Sequence, residues 1–312
     1  MSAKYEFFQV SLPGWESAKR IKNQLDHFIF RGQSDYQWGL TTSLERALKP
    51  FRIPPDEMWD LEKNILSTFR SRAHHYIQSP PEKQSYLEWL ALIQHHGGVT
   101  RLLDFTESFY IAWYFALEDA LRQASVWAVN VEHLLKKARS FISRDSKTQD
   151  FEKPDPVLSL AELFIKNNES NDLVLPVKPN RLNERIAIQK GTFLFPCNMK
   201  NGLEQNLCLA LDLPTRSLNY KNIPRIDIDE LLDENTNIID DIKILKMNLE
   251  VRHHNDAISD LYSMNIAAAS LFPGLEGFAR SLKYSVRLRE QSTYLSDQIL
   301  EDMDGLISDA DV

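Results

Sequence analysis

Apolar positions along this chain shift between short runs, alternation and helical spacing, and each shift predicts an element. The segment KNQLDHFIFR ends in the aromatic-rich run Phe28-Ile29-Phe30, and Gly32-Gln33-Ser34-Asp35 follows it. A buried strand near 27–31 that opens into a turn is expected there, with Arg31 at its mouth. Thr42 and Ser43 precede LERAL as a helix start, and Pro50, Pro54 and Pro55 then break the chain. Met58, Leu61, Ile65, Phe69 and Ala73 recur at helical spacing inside a helix expected over 56–78. KQSYLEWLALIQH, 83–95, predicts another helix, stopped by Gly97-Gly98, after which VTRLLDFT reads as a connector. A helix over 107–122 follows, with Thr106 as its cap. Its apolar content (Phe109, Ile111, Ala112, Trp113, Tyr114, Phe115, Ala116, Leu117) predicts near-complete burial.

SVWAVNV (125–131), DLVLPVKP (172–179), GTFLFPC (191–197) and DIKILKM (241–247) predict strands, and the polar segment NRLNERIAIQK lies between the second and third. Lys136 to about Asp155 is charged and weakly apolar and reads as a loop excursion. Helical spacing returns over 248–262 and again in LEGFARSLKY after Pro273. These elements predict an α+β fold, a mixed or split sheet wrapped by helices. The expected organisation is a lead-in over 1–25, a main domain over 26–285 with an excursion about 136–156, and a polar, acidic tail over 286–312.

Composition narrows the setting. With 312 residues, 43% of them hydrophobic, the chain can bury a large core without a staple. Its two cysteines, Cys197 and Cys208, form no CxxC pair and predict reduced thiols. No run approaches the ~20 apolar residues that cross a bilayer, and the amino-terminal segment lacks a leader pattern, so a cytoplasmic protein without a membrane partner is expected. A net charge of −8 argues against broad adhesion to nucleic acid but leaves room for a local basic pocket.

Three segments place polar residues in apolar surroundings, where an unpaired charge is costly. In FIFRGQSDYQW, Arg31 offers a planar cation suited to phosphate or carboxylate, with Gly32 admitting close backbone approach; an ion pair with Asp104 is the structural alternative. In QHHGGVTRLLDFTES, a helix end, two glycines, Arg101 and Asp104 precede a helix start, an arrangement that favours anions. There His95 is a ligand, an acid or base, or a helix cap, while His96 is expected to face solvent. In NERIAIQKGTFLFP, Gln189 would stand beside a strand's start, as an amide that donates and accepts or simply caps backbone. The pairs His74-His75, His95-His96 and His253-His254 lack HxxxH or HExxH spacing, so no metal is expected. GxSxG, P-loop and GxGxxG patterns are absent as well.

At these residues the chain resembles the FRG domain family, widespread in bacteria and phages and named for the triplet found here as Phe30-Arg31-Gly32. FRGQSDYQWGLTTSLER resembles the family's opening block. LALIQHHGGVTRLLDFTESFYIAWYFALEDA resembles its central block, in which His95, Thr100, Arg101, Asp104 and Thr106 fall in place. NERIAIQKGTFLF and MNIAAASLFPGLEGFARSL resemble later blocks. The order of strand, Arg-Gly, buried Tyr-Phe helix and late strand is in turn similar to ADP-ribosyltransferases, including a DNA-modifying toxin branch. That likeness implies a nucleotide-type pocket for NAD. Arg31, His95, Asp104 and Gln189 would carry catalysis, and Arg31, Gly32, Gln33, Thr100, Arg101 and Tyr114 would bind the cofactor. It further implies a toxin or anti-phage effector that modifies nucleic acid or protein, accompanied by an antitoxin or defence partner. Where such enzymes place a late glutamate this chain has Gln189, with Glu184 upstream and no Glu-x-Glu, so Asp104 or Glu184 would have to supply the carboxylate. A non-catalytic module that senses a nucleotide or recognises a protein is the alternative, and a metal-dependent nuclease a second.

Overall fold

A computed structural model describes residues 6–54, 57–144, 155–180, 184–215, 218–233 and 238–283. The heart of the excursion, 145–154, and the tail lie outside the described residues. The chain divides into two compact units, Met1–Asp260 and Leu261–Val312. The second contains the short helix Ala268–Leu271 and, within itself, the Arg280 guanidinium stacked 4.0 Å from the Phe272 ring.

The first unit is α+β. Its strands are β1 (Phe7–Leu12), β2 (Phe28–Gln33), β3 (Leu103–Thr106), β4 (Ala124–Asn130), β5 (Val174–Val177), β6 (Gly191–Pro196) and β7 (Ile244–Leu249). They form one mixed sheet in the order β1-β7-β4-β2-β3-β6-β5. Only the β1–β7 pair is parallel. The helices that matter below are α1 (Trp15–Lys22), α2 (Ser43–Leu48), α3 (Met58–Arg72), α4 (Tyr86–His95), α5 (Phe109–Leu117), α6 (Val131–Arg144), α7 (Pro156–Asn167), α8 (Glu184–Ile188) and α9 (Leu203–Ala210).

Local chemistry explains most of these boundaries. Thr42 caps α2 with a reciprocal capping box to Glu45. Gly97, at φ 80°, ends α4 in the left-handed region, and Gly98 N–H returns to the Ile93 carbonyl at 2.9 Å. Asp155 accepts from the first turn of α7, whose opening Pro156 needs no donor.

The structure corrects five expectations. The connector holds strand β3, whose four residues, three buried and Asp104 exposed, are too few to show a period. Residues 136–144 are helix, since α6 runs on through them with Ala138 buried and Phe141 and Ile142 packed on the core amid exposed charges. Ser108, not Thr106, caps α5 and accepts from Ile111 N–H at 3.4 Å. The buried stripe of α3 is Met58, Glu62 and Leu66 rather than one through Leu61, because Glu62 carries a buried charge pair described below. The first residues also do more than lead in, as β1 forms an edge of the sheet beside β7.

Two features fix how the middle of the sheet meets its surroundings. Helix α5 crosses β2 so closely that a Cβ on Gly32 would stand 2.0 Å from the Ala112 carbonyl oxygen and 2.6 Å from the Ala116 nitrogen. The close approach that requires glycine is therefore made by this helix. Across β2, β4, β7 and β1 the register then aligns Arg31, Trp127, Lys246 and Gln9 in one row. Lys246 is fully buried; its ammonium donates to the carbonyls of Tyr36 and Trp38 and sits 4.5 Å from the Trp127 ring centre. Gln33 accepts from Trp127 Nε1 and donates to the Gly39 carbonyl, both at 2.8 Å. Together these side chains tie down the turn that follows β2. Burial pulls the Lys246 pKa down to about 8, against the partly opposing charges of Glu204 and Asp35.

Gly32→Ala should cost about 2–3 kcal/mol in chemical denaturation, because backbone of α5 cannot yield as a side chain would. For Lys246 the folded chain releases its proton near pH 8 while the unfolded chain holds it to about 10.5, so this group makes stability rise with pH between those values. Urea titrations at stepped pH should show that rise, by up to about 1 kcal/mol per unit, and Lys246→Met should flatten it.

Candidate functional site

The sheet contains a weak seam. Strand β2 is registered with β4 over six pairs, from Phe28↔Asn130 to Gln33↔Ser125, yet with β3 over one, Phe30↔Thr106. Beyond that pair the strands part, and a cleft of about 320 Å³ opens between them. Its walls come from β2 (Phe30, Arg31, Gly32), β3 (Asp104, Phe105, Thr106), the end of α4 (Ala91, Gln94, His95) and Phe115 of α5. Arg185, Ile186 and Gln189 of the α8 segment and the start of β6 complete it.

Arg31 spans the parted strands. Its Nη1 donates to the Asp104 carbonyl at 2.6 Å and stands 3.9 Å from the Asp104 carboxylate. The side chain keeps 21% of its exposure, and the buried Nε has no hydrogen-bond partner within the protein. Burial pushes the guanidinium's pKa down, Asp104 opposes that, and Arg46 adds to it. Asp104 itself is largely exposed, its side chain 62% open to solvent. His95, in the last turn of α4, is exposed on the cleft and packs edge-on against His96 at 4.9 Å between ring centres.

Gln189 lines the cleft, and its backbone is tied to β3. Thr106 Oγ1 donates to the Gln189 carbonyl at 2.7 Å, and Glu107 N–H donates to the Lys190 carbonyl at 3.0 Å. These bonds latch the end of α8 to the end of β3. Lys190, at φ 48°, turns the chain into β6 immediately afterwards. Thr106 is thus a clasp, accepting from Ser108 N–H as well.

The structure therefore gathers Arg31, Gly32, His95, Asp104 and Gln189 on one cleft and sends the other expected residues elsewhere. Arg101 does not line it. Its guanidinium is 2% exposed and pairs with the equally buried Glu62, Nε at 2.6 Å and Nη2 at 2.5 Å from Oε2, between the rings of Trp59 and Phe195. Backbone N–H of Arg101 also donates to Glu62 Oε1 at 3.0 Å. A charge paired with a buried carboxylate and enclosed between two rings is a scaffold element rather than a phosphate ligand. Thr100 is buried too; it donates to Gln94 Oε1 and accepts from Leu102 N–H, which fixes the chain entering β3. Tyr114 is buried with its hydroxyl 3.1 Å from Glu118, and its neighbour Phe115 is the α5 residue on the cleft. Gln33 borders an adjoining groove but has its amide engaged at both ends. Glu184 is exposed and does not line the cleft, which leaves Asp104 as the one carboxylate among the lining residues.

Sequence reasoning missed Arg185, Gln94 and Phe115. Arg185 was visible as a cation in an otherwise apolar run, and only the short helix α8 decides which way it faces. Both cysteines are buried and free. Burial raises the Cys197 thiol's pKa well above its ordinary value, and lifts that of Cys208 to about 12 with help from Glu204. Among the described residues no group of three or more His, Cys, Asp or Glu side chains could hold a metal ion, and no helix is long and apolar enough to cross a membrane.

Residues 26–125 match the FRG domain model. The match takes in β2, α2 to α5 and β3, hence Arg31, His95, Asp104 and Phe115, whereas Arg185 and Gln189 lie beyond it. No curated protein and no solved structure matches the chain.

The two arginines should separate cleanly in urea unfolding. Glu62→Gln, which leaves Arg101 buried without its counter-charge, should cost about 3 kcal/mol or more. Asp104→Asn, at an exposed position, should stay within about 0.5 kcal/mol of the parent.

Proposed function

Taking the chain as one that carries an FRG domain over residues 26–125, we propose that its cleft binds a nucleotide-type ligand, NAD by preference, and serves an ADP-ribosyltransferase-like effector acting on nucleic acid or protein. The observation that carries this reading is Arg31, a mostly buried cation that lines the cleft with 21% of its side chain exposed, held on a backbone carbonyl with its carboxylate neighbour 3.9 Å away. A partly desolvated cation compensated mainly by a neutral carbonyl gains from a charged acceptor, and a phosphate oxygen in the cleft would supply one.

The other lining residues fit the same group. Arg185 adds a second guanidinium for a pyrophosphate, Gln94 and Gln189 add amides, and Phe115 and Phe193 add aromatic surface for a flat ring. NAD bound there would supply an ADP-ribosyl group: the ribose–nicotinamide C–N bond breaks, nicotinamide leaves with its electron pair, and an acceptor oxygen or nitrogen bonds the ribose carbon as its proton departs. Asp104 is the group placed to oppose developing positive charge and to take that proton. Arg31, on the same strand's carbonyl, orients it. His95 can pass the proton onward to solvent, being exposed at the rim. Gln189 can orient a hydroxyl through its amide and takes no proton.

One observation favours a second reading, a module that senses a nucleotide without turnover. At the turn between α8 and β6 the cleft is lined by Gln189, a residue that takes no proton, while Glu184 stays outside.

The test is a paired measurement of NAD binding by calorimetry and nicotinamide release in the presence of DNA, RNA and protein extracts. Arg31→Ala should weaken binding about tenfold or more, equivalent to one charge-assisted hydrogen bond. Asp104→Asn should slow release about 100-fold, the usual scale for losing a general base. Binding without release in every condition would give the site to the sensing module, and folded protein that binds no NAD would overturn the cofactor assignment.

A further inference from the structure

The cleft has a continuation. Arg31, Gly32 and Phe115 also border a second groove of about 760 Å³, which runs past the 34–41 turn to α2, Met58 and Gly202. Its ionic content is one-sided. Arg31, Arg46 and Lys49 bring three cations, against a single carboxylate, Glu45. Both oxygens of that carboxylate already serve backbone donors, Thr42 N–H at 2.6 Å and Leu203 N–H at 2.8 Å. Since the whole chain carries a net charge of −8, this local excess of cations runs against the bulk composition.

The groove also has an aromatic platform. Trp38 lines it with 55% of its surface open, although an indole gains more than most side chains from leaving water. The turn that carries Trp38 is held rigid from beneath. Lys246 donates to the Tyr36 and Trp38 carbonyls, Gln33 donates to the Gly39 carbonyl at 2.8 Å, and Glu204 accepts from Leu40 N–H at 2.9 Å. The protein thus commits buried polar groups to presenting a bare indole beside Arg46 and Lys49, both exposed.

We propose that this groove binds a single-stranded polynucleotide, with phosphates on Arg46 and Lys49, a base stacked on Trp38 and the strand directed toward Arg31. Cations that follow a backbone, joined to an exposed ring that accepts any base face, are the physical elements of single-strand binding. A duplex offers phosphates but keeps its base faces stacked, so it meets the cations and not the indole. The strand would be the acceptor in the function proposed above, and the acceptor role rests on that reading; binding in the groove does not.

The experiment is fluorescence anisotropy of the full chain with labelled twelve-nucleotide single-stranded DNA and RNA and the matching duplex, across a salt series. The single strand should bind at least about tenfold more tightly than the duplex, in one or both arms, and the stronger arm identifies the sugar. Trp38→Ala should lose about tenfold or more, the scale of one base–aromatic stack, and Trp38→Phe should recover part of it. Arg46→Gln with Lys49→Gln should lower affinity and reduce the slope of log K against log salt by about 2. Equal binding of duplex and single strand, or no loss in Trp38→Ala with the fold intact by circular dichroism, overturns the proposal. A separate NAD titration keeps the two ideas apart. NAD binding without strand binding sinks the groove alone, and Trp38-dependent strand binding without NAD binding sinks the cofactor reading alone.

Discussion

The site depends on the loss of pairing between β2 and β3. Buried backbone donors and acceptors must find partners, and in this sheet β2 satisfies one edge completely against β4 while sharing a single registered pair with β3. The freed Asp104 carbonyl takes the Arg31 guanidinium in place of a ladder N–H. A side chain thereby closes a gap in the sheet and at the same time presents a buried cation to a cleft. The neighbouring Gly32 follows from the same arrangement, because α5 packs against β2 at a distance no Cβ permits.

Buried charges elsewhere show what distinguishes scaffold from site. Arg101 and Glu62 are desolvated to the same degree, satisfy one another through several contacts and lie between two aromatic rings. Neither lines the cleft. Lys246 spends its charge on two carbonyls of the 34–39 turn and on the Trp127 ring. Its depressed pKa measures what that service costs the fold. Arg31 differs because it lines the cleft with 21% of its side chain exposed and has its carboxylate neighbour no nearer than 3.9 Å. Desolvation alone marks none of them as functional; of the three, Arg31 is the one that lines the cleft.

These placements also order the two recesses. The row Arg31, Trp127, Lys246 and Gln9 lies across four strands. One end of it faces the cleft, and its middle supports the turn that walls the groove. The chemistry at Arg31 and the platform at Trp38 are therefore set by one stretch of sheet, which makes their relative position a property of the rigid core rather than of a loop.

Local signals in the sequence determined much of this by themselves. The run Phe28-Ile29-Phe30 before Arg31-Gly32, the glycines after His95, the helix start at Thr42 and Ser43 and the apolar residues of α5 depend on neighbours within a turn or two, and each appears where its chemistry placed it. Polar residues set against apolar elements pointed to Arg31, His95, Arg101, Asp104 and Gln189 as one site, and four of the five line the cleft while Arg101 does not. Tertiary structure alone decided the rest. Arg101 and Glu62 are 39 positions apart, so no local pattern could show that one cancels the other or that α3 turns Glu62 rather than Leu61 inward. Phe115 faces the cleft and Tyr114 does not because of the rotation of α5 on β2. Strand β3 borrows its partners from β6 and β2, distant segments that a four-residue run cannot announce. Periodicity reports the face an element will bury; which charge meets which, across that face, is fixed only when the elements pack.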